Sequence, residues 1–366
     1  MSALPNQPSV VPVNNMVRQE MAVTFLKSCP EFDNPELHPL AGDASFRRYI
    51  RIRQNGRNAM LMDAPPEKED ARKYLVIAEY LHKNGYSTPE VMASDIARGF
   101  ILLEDFGDDT YTRILNRAEA ETRAQQEHDL YEAAVDLLAD WYLRRSTLVD
   151  ATQFTPGNYN ERALLKEVSL FAEWYLPQVL GKEKAVQLFD EFIDIWQIII
   201  NEAHLSNDVF VHRDYHADNL MWLPERQGVK RVGLLDFQDG LYGDPAYDMV
   251  SLLEDARRDV PQNIVQHAIM GYLYATKLNA DDFKTAYAVL GAQRNCKIIG
   301  IFVRLAARDN KHHYVELLSR VWGHLEHDLT HPLLAPLAQW MDKHVSKEFR
   351  GSVPIKYTAR DLDLSV

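Results

Sequence analysis

The sequence predicts an α+β chain with two lobes: a small N-terminal lobe built on an antiparallel sheet and a larger, mainly helical C-terminal lobe. Strand-forming residues and turn signals are concentrated before Gly107, and helical periodicity dominates after it. A short strand-like island around 209–237 interrupts the helical part, and it carries an unusual run of polar residues.

The N-terminal lobe is predicted over residues 21–105, after a flexible leader at 1–20. SFRRYIRIRQNGRNAMLMDAPP holds two strand-forming runs around an Asn-Gly turn, which predicts a hairpin. EKEDARKYLVIAEYLHKNGY has acidic residues in front and Gly85 near its end, as expected of a capped amphipathic helix. TPEVMASD and GFILLEDFGD predict two further short strands.

The C-terminal lobe is predicted over residues 106–366. HDLYEAAVDLLADWYL carries a single apolar stripe at helical spacing, and NERALLKEVSLFAEWYL and KAVQLFDEFIDIWQIIINEAH repeat the signal. Most of 260–345 has the same character. The strand-like island is therefore expected to form a strand-and-loop insert between helices.

Composition limits the range of partners. Forty Lys and Arg against 53 Asp and Glu give a net charge of −13, which disfavours a broad basic face for nucleic acid and means that an anionic substrate needs locally clustered cations. The two cysteines, Cys29 and Cys296, lie far apart, so neither a disulfide scaffold nor a zinc site is indicated. Without a signal-like start or a membrane-length apolar run, we expect a cytoplasmic protein with no membrane association and no obligate protein partner.

The polar run is VHRDYHADN, in which Asp214 and Asn219 are five residues apart, and it is followed by the apolar strand VGLL and then Asp236. Phosphoryl transfer explains this set. Mg²⁺ on a nucleotide prefers carboxylate and amide oxygens, which Asn219 and Asp236 supply. Asp214 would accept the proton of an acceptor hydroxyl or orient that hydroxyl. The apolar flanks hold the loop between buried strands.

These motifs resemble the aminoglycoside phosphotransferase and choline kinase superfamily, which shares the protein-kinase-like bilobal fold. GDASFRRYIRI, LMDAPPEKED, FILLEDFGDDTY, VHRDYHADNL and LLDFQDGLYGDPAYDMVSLLEDARRDV together resemble one branch, the anomeric N-acetylmuramate/N-acetylglucosamine kinases of bacterial cell-wall recycling. The resemblance implies an amino-sugar substrate, with ATP and Mg²⁺ as cofactors.

The resemblance also implies roles for individual residues. Asp214 corresponds to the catalytic base, and Asn219 and Asp236 to the metal ligands. The residues matched to the nucleotide site lie in the phosphate-covering loop and in the hinge LLEDFG; they are Gly42, Ala44, Ser45, Arg48, Leu103, Glu104 and Asp105. The candidate substrate residues are Arg213, His216, Gln238, Asp239, Trp174, Tyr175 and Arg294.

Several of these assignments have structural alternatives. Trp174 and Tyr175 lie on a helical stretch where aromatic residues usually belong to the core. His212 is expected to be a buried brace rather than an acid or base. Asp248 follows Pro245 at a predicted helix start, so it either caps that helix or accepts N–H groups from the catalytic loop.

One departure concerns the third strand, where kinases of this fold place a lysine. Here AMLMDAPP offers Met62 and Asp63. Either a nearby cation compensates, or the phosphates depend more on the metal and the loop. The candidate cations are Arg48, Arg51 and Lys68.

Two rival functions remain open at this stage. One is another small-molecule kinase of the same fold, acting on an aminoglycoside, a choline-like alcohol or another sugar. The other is a nucleotide-binding pseudoenzyme. If the substrate is N-acetylmuramate, its lactyl carboxylate needs a local cation, and the candidates are Arg162, Arg294, Arg304, Arg308 and Lys311.

Overall fold

A computed structural model describes residues 15–40, 47–146 and 156–364 of the chain. The chain forms two compact units, Met1–Asp108 and Asp109–Val366. The division thus falls after Asp108, whereas the sequence predicts it after residue 105.

The first unit is built on a five-stranded antiparallel sheet with the strand order β1-β2-β3-β5-β4. Its described elements are α1 (Asn15–Lys27), β1 (Glu36–Pro39), β2 (Arg48–Gln54), β3 (Arg57–Asp63), α2 (Ala71–Lys83), β4 (Val91–Asp95) and β5 (Phe100–Glu104).

Local sequence signals explain most of this unit. Asn55 and Gly56 both have positive φ angles, 53° and 76°, as the tight β2–β3 turn requires. Asp70 caps α2 by accepting the Arg72 N–H at 3.1 Å. The predicted hairpin, helix and two later strands are all present. Strand β1 was not predicted from the sequence, because this edge strand is exposed along its whole length and shows no apolar alternation.

The prediction of a flexible leader over residues 1–20 is wrong for residues 15–20, which belong to helix α1. The helix begins at Asn15, and its inner face packs on the sheet through Phe25 and Leu26 against Phe100 and other core residues. Arg18, which falls within the predicted leader, is buried. Residues 15–20 are therefore part of the fold.

The second unit is mainly helical, with two small antiparallel strand pairs, β6 with β9 and β7 with β8. Its described elements are α3 (Tyr111–Arg117), α4 (Ala120–Arg144), α5 (Glu161–Leu170), α6 (Leu176–Leu180), α7 (Lys182–Glu202), β6 (Val209–Val211), β7 (Leu220–Trp222), β8 (Val232–Leu234), β9 (Leu241–Gly243), α8 (Ala246–Leu253), α9 (Gln262–Thr276), α10 (Ala280–Asp309), α11 (Leu318–Asp328) and α12 (Ala335–His344).

The long helix α10 is the centre of this unit, and it packs closely on α5 and on a single π-helical turn, Phe171–Tyr175, that joins α5 to α6. At the closest approach α10 has Gly300, where a Cβ would lie 2.4 Å from the carbonyl atoms of Leu170 and 2.7 Å from the nitrogen of Phe171. Only glycine lets the two backbones meet at this distance.

The helices and the two cysteines of the described residues bear on the expected environment of the protein. Among them, no helix is both long enough and apolar enough to cross a membrane. Cys29 and Cys296 are buried and have free thiols.

Candidate active site

The catalytic loop lies between β6 and β7, and its two ends are held by strand pairing. Leu220 of β7 pairs with Leu234 of β8. Just outside this pair, the Leu235 N–H donates to the carbonyl oxygen of Asn219 at 3.0 Å. Asn219 and Asp236 therefore emerge at the same end of one small hairpin.

Asn219 is also bonded to the segment that carries Asp214. Its amide nitrogen donates to the Asp214 carbonyl oxygen at 2.9 Å and lies 3.3 Å from Nε2 of His216. These contacts fix the amide nitrogen, so Oδ1 of Asn219 is the atom left to bind a ligand. Asn219 therefore links the loop segment that carries Asp214 to the end of β8, which is followed by Asp236.

Asp236 sits in a left-handed backbone conformation with φ 60°. Its Oδ1 accepts a hydrogen bond from Nε2 of Gln238 at 3.0 Å. The same nitrogen lies 3.4 Å from Oδ2 of the exposed Asp239. The bond between Gln238 and Asp236 orients the carboxylate that is predicted to bind the metal. The substrate role of Gln238 stays a prediction.

Asp248 holds the catalytic loop through two hydrogen bonds to its backbone. Its two carboxylate oxygens accept the backbone N–H groups of His212 and Arg213, at 2.6 and 2.9 Å. Burial raises the pKa of Asp248 to about 7, although the two N–H bonds oppose the shift. Asp248 therefore accepts N–H groups from the catalytic loop, which was one of the two alternatives considered from the sequence. In the first turn of α8, the backbone N–H of Ala246 donates to Asp244 instead.

The two residues bonded to Asp248, His212 and Arg213, differ in their surroundings. His212 is fully buried, as expected of a structural histidine. Arg213 has a positive φ of 74°, which its bonded N–H group stabilises. Its guanidinium donates to the Asp239 carbonyl oxygen at 2.9 Å and forms an ion pair with Glu167 of α5.

Glu167 is the centre of a buried charge cluster that sequence reasoning missed. Besides Arg213, it binds Nζ of Lys297 on α10 at 3.1 Å and accepts a hydrogen bond from the Tyr159 hydroxyl. Lys297 also donates to the Tyr247 hydroxyl at 3.3 Å. The available signal was a group of polar residues, QRN and Lys297, inside an otherwise apolar stretch of α10.

Three cations near the catalytic loop, Lys297, Arg294 and Arg213, lower the pKa of Asp214. Burial alone would raise the pKa of Asp214, but Lys297, Arg294 and Arg213 outweigh burial and hold that pKa below its usual range. Asp214 is therefore an ionised carboxylate at neutral pH. An ionised carboxylate can accept the proton of a hydroxyl or orient that hydroxyl.

His216 is buried beside Asn219. Burial and the nearby Arg257 lower the pKa of His216 well below its usual range, although Asp214 opposes the shift. The imidazole is therefore neutral. Its Nε2 lies 3.5 Å from the Arg257 guanidinium. The substrate role of His216 stays a prediction.

The remaining predicted substrate residues lie in the interior. Tyr175 is fully buried, and its hydroxyl donates to the Phe349 carbonyl oxygen at 2.8 Å. Trp174 is 4% exposed. A ring without an exposed face cannot stack on a sugar, so the substrate role suggested for these two residues is corrected to core packing. Arg294 is also buried, and it donates to the Ser251 hydroxyl at 2.9 Å.

The nucleotide residues assigned from the sequence belong to the first unit. Gly42, Ala44 and Ser45 lie outside the described residues. Leu103 is paired in the sheet between β3 and β4, and the Glu104 N–H donates to the Glu90 carbonyl oxygen at 2.8 Å. These sheet contacts occupy the Glu104 N–H, so an adenine edge would need other backbone groups of the hinge.

Two of the three cations suggested as substitutes for the strand lysine, Arg48 and Arg51, already lie beside carboxylates. Arg51 pairs with Asp105 at 2.6 Å and with Asp108 at 2.9 Å. Asp63 is the last residue of β3, the strand where a lysine was expected. It is buried, and its carboxylate accepts a hydrogen bond from Nε of Arg18 at 3.0 Å. Arg48 lies 3.6 Å from the same carboxylate, and its side chain is 43% exposed.

A protein-family model for a phosphotransferase enzyme family matches residues 36–283, which is more than half of the chain. The chain belongs to this family. It is 34% identical to the N-acetylmuramate/N-acetylglucosamine kinase of Caulobacter vibrioides, over 91% of this chain and 98% of that protein. The kinase of the same name from Pseudomonas aeruginosa is 35% identical, over 80% of this chain and 83% of that protein.

Solved structures agree on the fold. An ADP-bound aminoglycoside phosphotransferase superposes with a TM-score of 0.55 at 17% identity, over 86% of this chain and 97% of that chain. A choline kinase from Streptococcus pneumoniae superposes with a TM-score of 0.56 at 12% identity, over 87% and 98%. The predicted protein-kinase-like α+β fold is confirmed. The chain is an ATP-dependent kinase with a hydroxyl group as acceptor, and the pseudoenzyme reading is not supported.

Proposed function

We propose that this kinase phosphorylates the anomeric hydroxyl of N-acetylmuramate and N-acetylglucosamine in peptidoglycan recycling. The observation that carries the proposal is the similarity, over nearly the whole chain, to kinases named for these two sugars. The free, buried thiols of Cys29 and Cys296 agree with a cytoplasmic location, which is part of the proposal.

In this proposal Asp214 binds the acceptor hydroxyl and orients its oxygen toward the terminal phosphate of ATP. The cations around Asp214 keep its carboxylate ionised, so it can accept a hydrogen bond from the hydroxyl throughout the neutral pH range. Asp248 fixes the loop through two N–H bonds. Arg213, paired with Glu167, holds the loop from the side of α5.

Asn219 and Asp236 fit the role of Mg²⁺ ligands. Both present oxygen atoms at the same end of the β7–β8 hairpin. The amide nitrogen of Asn219 is held by the Asp214 carbonyl oxygen, and the Gln238 amide nitrogen donates to Asp236. The metal ion would neutralise charge on the phosphate oxygens. The proposed nucleotide contacts are those matched from the sequence: Gly42, Ala44, Ser45, Arg48, Leu103, Glu104 and Asp105.

A second candidate is a kinase for a cationic acceptor, because related folds include aminoglycoside and choline kinases and the net charge of −13 suits a cation. The local charges favour the first proposal. Lys297, Arg294 and Arg213 all act on Asp214, and these cations would repel an ammonium group placed beside it.

The test is turnover with ATP and Mg²⁺ on four acceptors in parallel: N-acetylmuramate, N-acetylglucosamine, an aminoglycoside and choline. We expect phosphorylation of the two amino sugars alone. Preferential turnover of the aminoglycoside or of choline would replace the proposal with the second candidate.

A further inference from the structure

The carboxylate of Asp214 has cations near it but none bound to it. Within residues 15–40, 47–146 and 156–364, no cationic nitrogen lies within 4.0 Å of this carboxylate, and neither of its oxygens accepts a hydrogen bond. The side chain is half-buried, and although burial would raise its pKa, the surrounding cations hold that pKa below its usual range. An ionised carboxylate in such surroundings is expected to pair directly with a cation unless the cation is held elsewhere.

Two of these cations, Lys297 and Arg213, are bound to Glu167 of α5 instead. Nζ of Lys297 lies 3.1 Å from Oε1 of Glu167, and Arg213 forms an ion pair with the same oxygen. The other oxygen, Oε2, accepts hydrogen bonds from the Tyr159 hydroxyl and, at 3.3 Å, from Nε2 of Gln293. Glu167 is thus bonded on both oxygens, and only 13% of its side chain is exposed.

The charges in this group depend on one another. Burial would raise the pKa of Glu167, but Lys297 and Arg213 outweigh burial and hold that pKa below its usual range. Burial would likewise lower the pKa of Lys297, but Glu167 outweighs burial and raises it. All three side chains are therefore charged at neutral pH. Two cations thus lie near two carboxylates, Glu167 and Asp214, and both are bonded to Glu167.

We infer that Glu167 is a positioning residue: it binds Lys297 and Arg213 so that neither pairs with Asp214, whose carboxylate stays open to the acceptor hydroxyl. The inference rests on the role of Asp214 in the proposed function. Without the charge of Glu167, the remaining described partner of Lys297 is the neutral Tyr247 hydroxyl at 3.3 Å. A buried ammonium group on a flexible chain would then pair with Asp214, and the hydroxyl would have to displace it before binding.

The experiment measures kcat and KM for wild type, Glu167→Gln, Lys297→Met and the double variant, with N-acetylglucosamine, ATP and Mg²⁺. Glu167→Gln keeps the shape of the side chain but removes its charge, so we expect kcat to fall about tenfold or more, with KM for ATP within about threefold of wild type. In the Glu167→Gln background, Lys297→Met should raise kcat by about threefold or more, because the freed cation is gone. In wild type the same change should not raise kcat, since Glu167 already holds Lys297.

Glu161→Gln, a matched change earlier on α5, is the control and should keep wild-type kinetics, because the described partner of Glu161 is the exposed side-chain amide of Gln197. Calorimetry with Mg²⁺-bound ATP checks that each variant is folded. If Glu167→Gln does not bind the nucleotide, Glu167→Asp and Glu167→Asp/Lys297→Met take its place. The shorter side chain keeps the charge but holds Lys297 less closely, so the same gain from Lys297→Met is expected.

A purely structural role for Glu167 would leave the double variant no more active than Glu167→Gln, and that result would overturn the inference. Wild-type kcat in Glu167→Gln, or loss of nucleotide binding in both Glu167 variants, would also overturn it. If wild type phosphorylates an acceptor other than the amino sugars, the proposed function fails, and the same variants are measured on that acceptor. Wild-type turnover in Asp214→Asn would remove the premise, and the inference would fail with it.

Discussion

Asp214 is a half-buried carboxylate whose charge depends on side chains from distant parts of the sequence. Lys297 and Arg294 come from α10, and Arg213 comes from the loop itself. The ionised state of Asp214 is therefore a property of helix packing as well as of the catalytic loop.

Replacing Asp214 by Asn keeps the shape of the side chain but removes its charge and most of its ability to accept a proton. We expect kcat to fall by about two or more orders of magnitude, with nucleotide affinity nearly unchanged. Steady-state kinetics and calorimetry with ATP would measure the two effects. Asp208→Asn, an exposed change just before β6, is the control and should retain activity. Turnover at the wild-type rate in Asp214→Asn would remove Asp214 from the reaction.

Asp236→Ala tests the metal assignment. The change removes a charged oxygen ligand, so we expect activity with Mg²⁺ to be lost and affinity for ATP in the presence of Mg²⁺ to weaken. ATP affinity measured without Mg²⁺ should equal that of wild type, which makes it an internal control. Unchanged affinity for Mg²⁺-bound ATP together with retained activity would show that Asp236 does not bind the metal.

At the scale of elements, the sequence predicted what is encoded by contiguous residues. The β2–β3 hairpin depends on its Asn-Gly turn, and α2 depends on Asp70 and its apolar face. The catalytic loop was also predictable, since Asp214 and Asn219 are five residues apart. The roles of Glu167 and Lys297 could not be predicted, because these residues come from α5 and α10, which precede and follow the loop in the sequence. The π-helical turn likewise has no local signal and depends on packing against α10.

The contact between α10 and the end of α5 gives a prediction about stability. Gly300→Ala would place a methyl group 2.4 Å from backbone atoms that cannot rotate away. We expect a loss of about 3 kcal/mol in the free energy of unfolding, as for other overpacked cores. The control is Gly271→Ala in α9, where a Cβ would meet nothing within 4 Å and helix propensity favours alanine. Thermal melts that rank Gly300→Ala equal to Gly271→Ala would contradict the close contact.

At the scale of the whole molecule, a buried acid pair makes stability depend on pH. The amide nitrogen of Asn295 donates to Glu254 at 2.8 Å and to Asp328 at 3.0 Å, and both carboxyl groups are buried. Burial raises the pKa of Glu254 from 4.5 to about 7, and burial together with Glu254 raises that of Asp328. The folded state thus retains protons that the unfolded state releases.

For Glu254 this stabilising contribution is fully present below pH 4.5 and is lost as the pH rises through about 7. Glu254→Gln imitates the protonated carboxyl group and does not ionise. We expect the variant to gain about 2 kcal/mol relative to wild type between pH 5 and pH 8, seen as a higher melting temperature at pH 8. Glu326→Gln, an exposed change on α11, should show no such gain. A constant difference between Glu254→Gln and wild type across this pH range would show that Glu254 does not retain its proton in the folded state.

The position of the phosphate on the product shows whether this kinase transfers a phosphoryl group to the anomeric hydroxyl of an amino sugar. Wild-type enzyme would be incubated with ATP, Mg²⁺ and N-acetylglucosamine, and the product examined by proton–phosphorus correlation NMR. We predict coupling of the phosphorus to the anomeric proton, and no such product from Asp214→Asn. Coupling to the C6 protons instead, or the absence of any sugar phosphate, would contradict the account.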